Sequence, residues 1–199
     1  MSSLERASFA AMECPIARAL EEVGDGWSLL IVREALKGLR QFAQFQERLG
    51  IAPNTLTRRL DKLCKHALLR RRQYQDHPPR DEYELTEKGL ELLPILLALG
   101  EWGNRWVLRG KSSIVPVDLR TGAPIELAVV DRHTGRPIEA GSVGVVAGPG
   151  ASAQLRARLA RPLPLGADCS ATPQPDQPMP SPSARAGAST RRRRAGPGG

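Results

Sequence analysis

Cysteine, histidine and aromatic residues are scarce in this 199-residue chain, whose aromatic content is 4%. The three cysteines, Cys14, Cys64 and Cys169, are far apart, and none stands in a Cys-x-x-Cys spacing. This argues against a disulfide framework and against a cysteine zinc site, and it predicts a reducing, cytoplasmic setting. The three histidines are equally scattered, so we expect no metal and no other cofactor.

Long apolar runs are also missing. The longest, Leu92–Leu99, is far short of the about 20 residues that a membrane-spanning helix needs. The first residues, Met1–Glu13, carry acidic side chains and no apolar core of the kind that a signal peptide has. We therefore expect a soluble chain with no membrane segment.

Positive charge is in excess, with a formal net charge of +8. Residues 1–110 hold 17 basic against 15 acidic residues, whereas residues 111–199 hold 12 against 6. The excess is therefore mostly C-terminal. A basic balance favours polyanionic partners but does not by itself identify one.

Changes in composition predict four segments: an N-terminal extension (1–13), a helical domain (14–110), a small β-meander (111–150) and a basic low-complexity tail (151–199). In the meander, Asp118–Glu126 recurs as Asp131–Glu139, each copy with a Thr-Gly turn, and strands are expected near 114–117, 125–130 and 143–146. The tail has too little apolar surface to offset its ordering entropy and is predicted to be largely disordered.

Hydrophobic periodicity divides the helical domain into successive elements. It predicts helices over 15–23, 27–36, 42–49, 54–66 and 86–108, and two strands, 69–74 and 82–85, around a loop over 75–80. Pro94 either kinks the last helix or marks its restart. The predicted fold class is mostly α with a small β-wing, which is the winged helix-turn-helix plan.

The helix over 54–66 carries the functional hypothesis. Its leucines, Leu56, Leu60 and Leu63, lie on one face, and the opposite face is cationic and amide-bearing. A helix of this kind enters the DNA major groove with its first turns at base edges, and a basic wing meets the DNA backbone. The residues predicted to bind double-stranded DNA are Asn54, Thr55, Arg58, Arg59, Lys62, Lys65, Arg71 and Arg80. The alternative is a winged-helix protein-interaction module that binds an acidic partner.

A series of ordered motifs between Glu13 and Trp106 resembles one family. They are Cys14-Pro15-Ile16, Gly24-Asp-Gly-Trp27, Leu29-Leu30-Ile31-Val-Arg33-Glu34, Gln41-Phe42, Ile51-Ala-Pro-Asn-Thr55-Leu56-Thr-Arg-Arg59-Leu60, Pro78-Pro79-Arg80-Asp-Glu82-Tyr83-Glu-Leu85-Thr86-Glu-Lys-Gly89 and Trp102-Gly103. Together they resemble the HxlR family of MarR-like bacterial transcriptional regulators. The resemblance implies a cytoplasmic homodimer that binds DNA and regulates neighbouring genes. The chain departs from the family pattern at Gly26, Gln44 and Asp81.

Two further roles are expected, each beside an alternative. The resemblance implies that Cys14, at the start of a helix, could sense thiol-reactive compounds, since a helix N-terminus favours a thiolate; the alternative is a packing residue. A small-molecule effector is a further candidate signal. An enzyme is not expected, because the Cys14 motif contains no base. The last helix is predicted to supply either core or dimer-interface residues: Leu96, Leu99, Trp102 and Trp106.

Overall fold

The computed structural model describes residues 8–77, 79–112 and 114–166. The chain forms two compact units that divide between Val130 and Asp131. The first unit is mainly helical. Its elements are α1 (Pro15–Val23), α2 (Gly26–Leu36), α3 (Phe42–Leu49), α4 (Pro53–Lys65), β1 (Leu69–Asp76), β2 (Pro79–Leu85), α5 (Glu87–Leu90) and α6 (Leu93–Trp106).

The boundaries of the first four helices follow from local chemistry. Pro15 and Pro53 stand in the first turns of α1 and α4, where a missing N–H costs no hydrogen bond. Asp25 caps α2 by accepting a hydrogen bond from the Ser28 amide at 2.9 Å. Gly50 ends α3 in the left-handed conformation, with φ of 60°. That turn brings α3 and α4 together within three residues and creates the helix-turn-helix.

The core lies between α2, α3, α4 and the hairpin. The leucine face predicted for α4 is confirmed, because Leu56, Leu60 and Leu63 are all fully buried. They pack in one cluster with Ile31 and Phe45, among others. The buried face of α4 therefore fixes which of its other side chains face away from the protein.

One long helix was predicted over 86–108, and the structure has two. Thr86 caps α5 as expected, accepting a hydrogen bond from the Gly89 amide at 3.1 Å. The chain then restarts as α6, with Pro94 in its first turn. Of the two outcomes left open for Pro94, the restart is the observed one, because proline is tolerated at a helix start and not in its interior.

The antiparallel hairpin β1–β2 forms the wing. Leu69 pairs with Leu85 and Arg71 with Tyr83, and the register shifts between Gln73 and Gln75. Both strands are longer than predicted, so the loop expected over 75–80 shortens to the turn around His77. Arg80 consequently lies within β2, and not in a loop.

The predicted β-meander is wrong in its pairing. Residues 114–117 and 125–130 form no strands, and Val117 forms an isolated bridge with Pro124. The side chain of Asp118 explains why this pairing does not extend into a hairpin. Its Oδ1 accepts hydrogen bonds from the amides of Arg120 and Thr121, and this closes a tight turn instead of extending a hairpin.

The second unit contains a small sheet of its own. Strand β3 (Val143–Val145), within the predicted 143–146, pairs with β4 (Leu163–Leu165), and helix α7 (Ala153–Arg158) lies between them in sequence. The expectation of disorder is therefore wrong for residues 151–166, where Leu163–Leu165 supplies the edge that β3 needs. The rest of the predicted tail, residues 167–199, lies outside the described residues.

Candidate nucleic-acid interface

The outer face of α4 carries side chains that the protein itself does not engage. Asn54 and Arg58 are exposed in its first two turns, and Thr55 is half-buried. Lys65 is exposed at the end of the helix. Within the described ranges, no carboxylate lies within 4 Å of Arg58 or Lys65. Their positive charges are therefore available to an external anion.

Arg59 and Lys62, also predicted to bind DNA, lie instead against the protein. Arg59 Nε is 3.1 Å from Asp25 Oδ1, and Lys62 Nζ is 3.8 Å from Asp25 Oδ2. The side chains of both cations are less than one-third exposed, and Asp25 is buried. This cluster, Asp25 with Arg59 and Lys62, joins the start of α2 to the middle of α4.

A second anchor holds the end of α4. Lys88 Nζ donates a hydrogen bond to the main-chain oxygen of His66, the residue that caps α4, at 3.0 Å. The same ammonium group donates to Glu22 Oε2 of α1 at 2.6 Å. Helix α4 is thus fixed at its middle and at its end, and its first turns project from a rigid base.

Most arginines of the wing are paired with acids of the same chain. Two of them, together with Arg40 from the turn before α3, surround the carboxylate of Glu84: Arg70 Nε donates to Oε2 at 2.6 Å, Arg40 Nη1 donates to Oε1 at 3.0 Å, and Arg72 lies 3.9 Å away. The hydrogen bond from Arg70, aided by the charges of the other two, lowers the pKa of Glu84. These cations therefore offer less charge to DNA than their number indicates.

Arg71 and Arg80 are the two other arginines of the wing. Arg71 Nε lies 2.7 Å from Asp81 Oδ2, and its guanidinium group stacks over the Tyr83 ring at 5.7 Å. Arg80 is exposed, and no acid of the described residues pairs with it. Among the eight predicted contacts, Arg58, Lys65 and Arg80 are therefore the cations without an intramolecular counter-charge in the described structure.

An open cleft of about 420 Å³ separates the wing from the start of α3. Its lining consists of two cations, one acid, three aromatic rings, one amide and one alanine: Arg71, Arg80, Asp81, Phe42, Tyr74, Tyr83, Gln41 and Ala43. The Tyr83 amide donates to the Arg40 main-chain oxygen at 2.8 Å, and this holds the wing against α3. The cleft combines the positive end of a helix with an unpaired arginine, an arrangement that suits an anion.

Glu34 is a buried carboxylate that links α2 to α3. It is 1% exposed and pairs with Arg33 and Lys37 of its own helix region, while Arg48 of α3 lies 3.8 Å away. Burial works to raise the pKa of Glu34, but hydrogen bonds from Lys37 and Arg33 outweigh it and the net effect is a lowered pKa. The ionised carboxylate can therefore brace the helix-turn-helix.

The remaining candidates lie elsewhere. Cys14 is half-buried and is the residue that precedes α1, with its main-chain oxygen accepting the Arg18 amide. Cys64 packs beside the core, and burial raises the pKa of its thiol. Within residues 8–77, 79–112 and 114–166, no group of three possible ligands could hold a metal ion, and no helix is long and apolar enough to cross a membrane.

Helix α6 presents the predicted interface residues on two adjacent faces. Leu96 packs against the core of its own chain. Leu99, Trp102 and Trp106 are 50%, 58% and 39% exposed and lie within an arc of about 60° at 100° per residue. Ile95 extends the same exposed stripe at 57%.

Asp25, Glu34 and Glu84 were not among the predicted site residues. Their positions carry only a weak signal in the sequence: an acid before a helix, an acid inside an apolar helix and an acid in a basic hairpin. Which cations they pair with depends on helices and strands that are distant in the chain, as with Arg40 and Glu84. The sequence therefore identified the cations of this surface but not their pairing with acids, such as that of Asp25 with Arg59 and Lys62.

A helix-turn-helix with an anchored second helix, followed by a two-stranded wing, defines the winged helix-turn-helix class of DNA-binding proteins. The comparisons with known proteins agree. Residues 22–111 match the HxlR-like helix-turn-helix family. An uncharacterised HTH-type transcriptional regulator of Mycobacterium tuberculosis is 38% identical over 143 residues, which are 70% of this chain and 89% of the relative. The chain belongs to the HxlR-like helix-turn-helix family of transcription regulators, and the predicted resemblance is confirmed.

Solved structures show the same fold. A candidate transcription factor, PA1607, is 36% identical with a TM-score of 0.65, covering 71% of this chain and all of the other. A second one, PA1374 from Pseudomonas aeruginosa, is 43% identical with a TM-score of 0.55, covering 73% of this chain and all of the other. Each of the two alignments covers more of this chain than residues 1–111 could supply. The similarity therefore continues beyond the family match into the C-terminal region.

Proposed function

We propose that this protein is a sequence-specific transcription regulator that binds a pseudo-palindromic operator as a homodimer. One observation carries the proposal. The first two turns of α4 project Asn54, Thr55 and Arg58 from a helix whose leucine face is fully buried. Asparagine can pair with adenine and arginine with guanine through two hydrogen bonds each.

The geometry supports a division of labour on this surface. Asn54, Thr55 and Arg58 read base edges in the major groove, and Lys65 and Arg80 contact the phosphate backbone. The cleft beside α3 binds one phosphate of the DNA backbone next to Arg80. The cations already paired with acids, Arg59, Lys62 and Arg71, hold the surface in shape.

The exposed stripe of α6 supports dimerisation. Its four side chains leave a continuous apolar surface, and a stable interface buries about 800 Å² on each partner. Two copies joined through α6 would present two recognition helices to successive half-sites of one DNA face. Such a regulator acts on genomic DNA, and we place it in the cytoplasm.

The inducing signal is assigned to a small molecule or a thiol-reactive compound. Cys14 supports the second, since it stands at the N-terminus of α1, where the helix dipole favours an anion. The exposed apolar residues Ile16 and Leu20 lie on the same helix. An adduct on Cys14 would therefore alter the surface at the start of α1, the helix that carries the exposed apolar residues Ile16 and Leu20.

Selection from random DNA duplexes, followed by gel shifts, tests the proposal. The wild type should enrich one motif, and Arg58→Ala should weaken binding to it by about 1–3 kcal/mol and relax the preference at one base pair. Arg120→Ala, which removes an exposed arginine from the turn after α6, serves as the control and should change neither. Failure to enrich a motif, together with capture of acidic proteins through the same face, would favour the protein-interaction module.

A further inference from the structure

The cluster of Asp25, Arg59 and Lys62 divides the charge of the recognition helix. Helix α4 has four cations, Arg58, Arg59, Lys62 and Lys65. The buried carboxylate of Asp25 neutralises two of them, Arg59 and Lys62. The two others have no acid partner within the described residues. The partition is geometric, since Arg59 and Lys62 are one turn apart and both reach the start of α2.

Asp25 is fully occupied by donors. Its Oδ1 accepts the Ser28 amide at 2.9 Å and its Oδ2 accepts the Ser28 hydroxyl at 2.6 Å, in addition to the two ion pairs. Ser28 has no exposed surface. The carboxylate is therefore fixed in position before any ligand arrives, and it cannot turn away to release its cations.

Arg59 depends on this carboxylate. Its Nε is buried and has no hydrogen-bond partner among the described residues, so its compensation comes from the charge of Asp25 at 3.1 Å. A partly buried cation that loses its counter-charge is destabilised. Without Asp25, the long side chains of Arg59 and Lys62 would leave the interior for water or for phosphate.

We propose that Asp25 is a positioning residue for DNA recognition, which holds Arg59 and Lys62 away from DNA and thereby keeps α4 selective. The inference rests on the proposed function. Phosphate contacts add affinity for any sequence, whereas base contacts add affinity for one. By withholding two cations from the backbone, Asp25 lowers binding to non-operator DNA and keeps α4 in register for Asn54 and Arg58.

The test compares Asp25→Asn with Asp61→Asn. Asparagine caps a helix as well as aspartate does, so the first change removes the charge and leaves the cap of α2. Asp61 is an exposed residue of α4, and its substitution makes the same change in net charge without touching the cluster. Binding of each full-length protein is measured to the duplex selected by the wild type and to an unrelated duplex, between about 50 and 200 mM salt.

For Asp25→Asn we expect the ratio of specific to non-specific affinity to fall about tenfold or more. The salt slope on unrelated DNA should steepen by about 0.9 for each cation released. Asp61→Asn should change the two affinities together and preserve their ratio. Equal behaviour of the two variants would overturn the proposal.

A second pair of variants decides the matter if Asp25→Asn does not fold. Arg59→Gln should leave the specificity ratio and the salt slope at their wild-type values, because Arg59 does not meet phosphate and its loss releases no other cation from Asp25. Arg58→Gln is the matched variant and should lose operator affinity directly. A salt slope that falls by about 0.9 in Arg59→Gln would show that Arg59 contacts DNA and would overturn the proposal. A wild-type protein that selects no sequence contradicts the proposed function instead.

Discussion

Removing the indole of Trp102 should weaken the proposed dimer. Trp102 is 58% exposed on the outer stripe of α6, and a tryptophan side chain presents up to about 250 Å². About 145 Å² of each copy is therefore open to a partner, and at roughly 25 cal/mol/Å² its burial is worth at most about 3.6 kcal/mol per copy. Allowing for incomplete coverage, we expect Trp102→Ala to raise the dimer dissociation constant at least about 100-fold, which corresponds to about 2.8 kcal/mol.

The assay is sedimentation equilibrium of the full-length protein over a range of concentrations. Because Trp102 packs little against its own chain, thermal unfolding of the monomer should change only slightly. Tyr74→Ala is the matched control, since Tyr74 is a 39% exposed aromatic residue on the wing. A dissociation constant for Trp102→Ala within about threefold of the wild-type value, far less than the tenfold that 1.4 kcal/mol gives, would remove α6 as the interface.

Three other perturbations test the remaining assignments. Arg80→Ala should weaken binding to all sequences equally and make the salt slope shallower by about 0.9; a changed base preference in selection experiments would show that the wing reads sequence. Glu84→Gln should destabilise the wing at neutral pH. Because the pKa of Glu84 is lower in the folded state, the deficit should be constant above about 4.5 and shrink as pH falls through the folded value in denaturant titrations, whereas a deficit independent of pH would contradict the arginine cluster. A thiol-reactive compound should alter operator affinity in the wild type and not in Cys14→Ser, and equal responses in gel shifts would leave Cys14 as a packing residue.

Local signals in the sequence accounted for most of the helical domain. The spacing of Leu56, Leu60 and Leu63 predicted the buried face of α4, and the structure buries all three. Pro15 and Thr86 marked helix starts, because their effects act on the backbone within one turn. The family resemblance followed from such motifs in order, and the match over residues 22–111 confirms it.

The C-terminal region shows where local signals fail. Apolar runs near 114–117 and 125–130 favour strands, but a strand forms only where a partner edge is available. The repeated Thr-Gly motif indicated turns correctly, since Asp131 closes its turn through His133 and Thr134 much as Asp118 does. It could not show that β3 pairs with β4, because that contact joins residues about twenty positions apart.

The candidate site divides in the same way. The sequence by itself determined that α4 is a cationic helix with a leucine face, since amphipathic spacing is a property of neighbouring residues. Only the tertiary structure decided which cations are free. Arg58 and Arg59 are adjacent in the chain and identical in chemistry, yet the helix turns one outward and the other onto Asp25. Charge compensation depends on distances of a few ångströms between separate helices, and folding of the whole domain sets those distances.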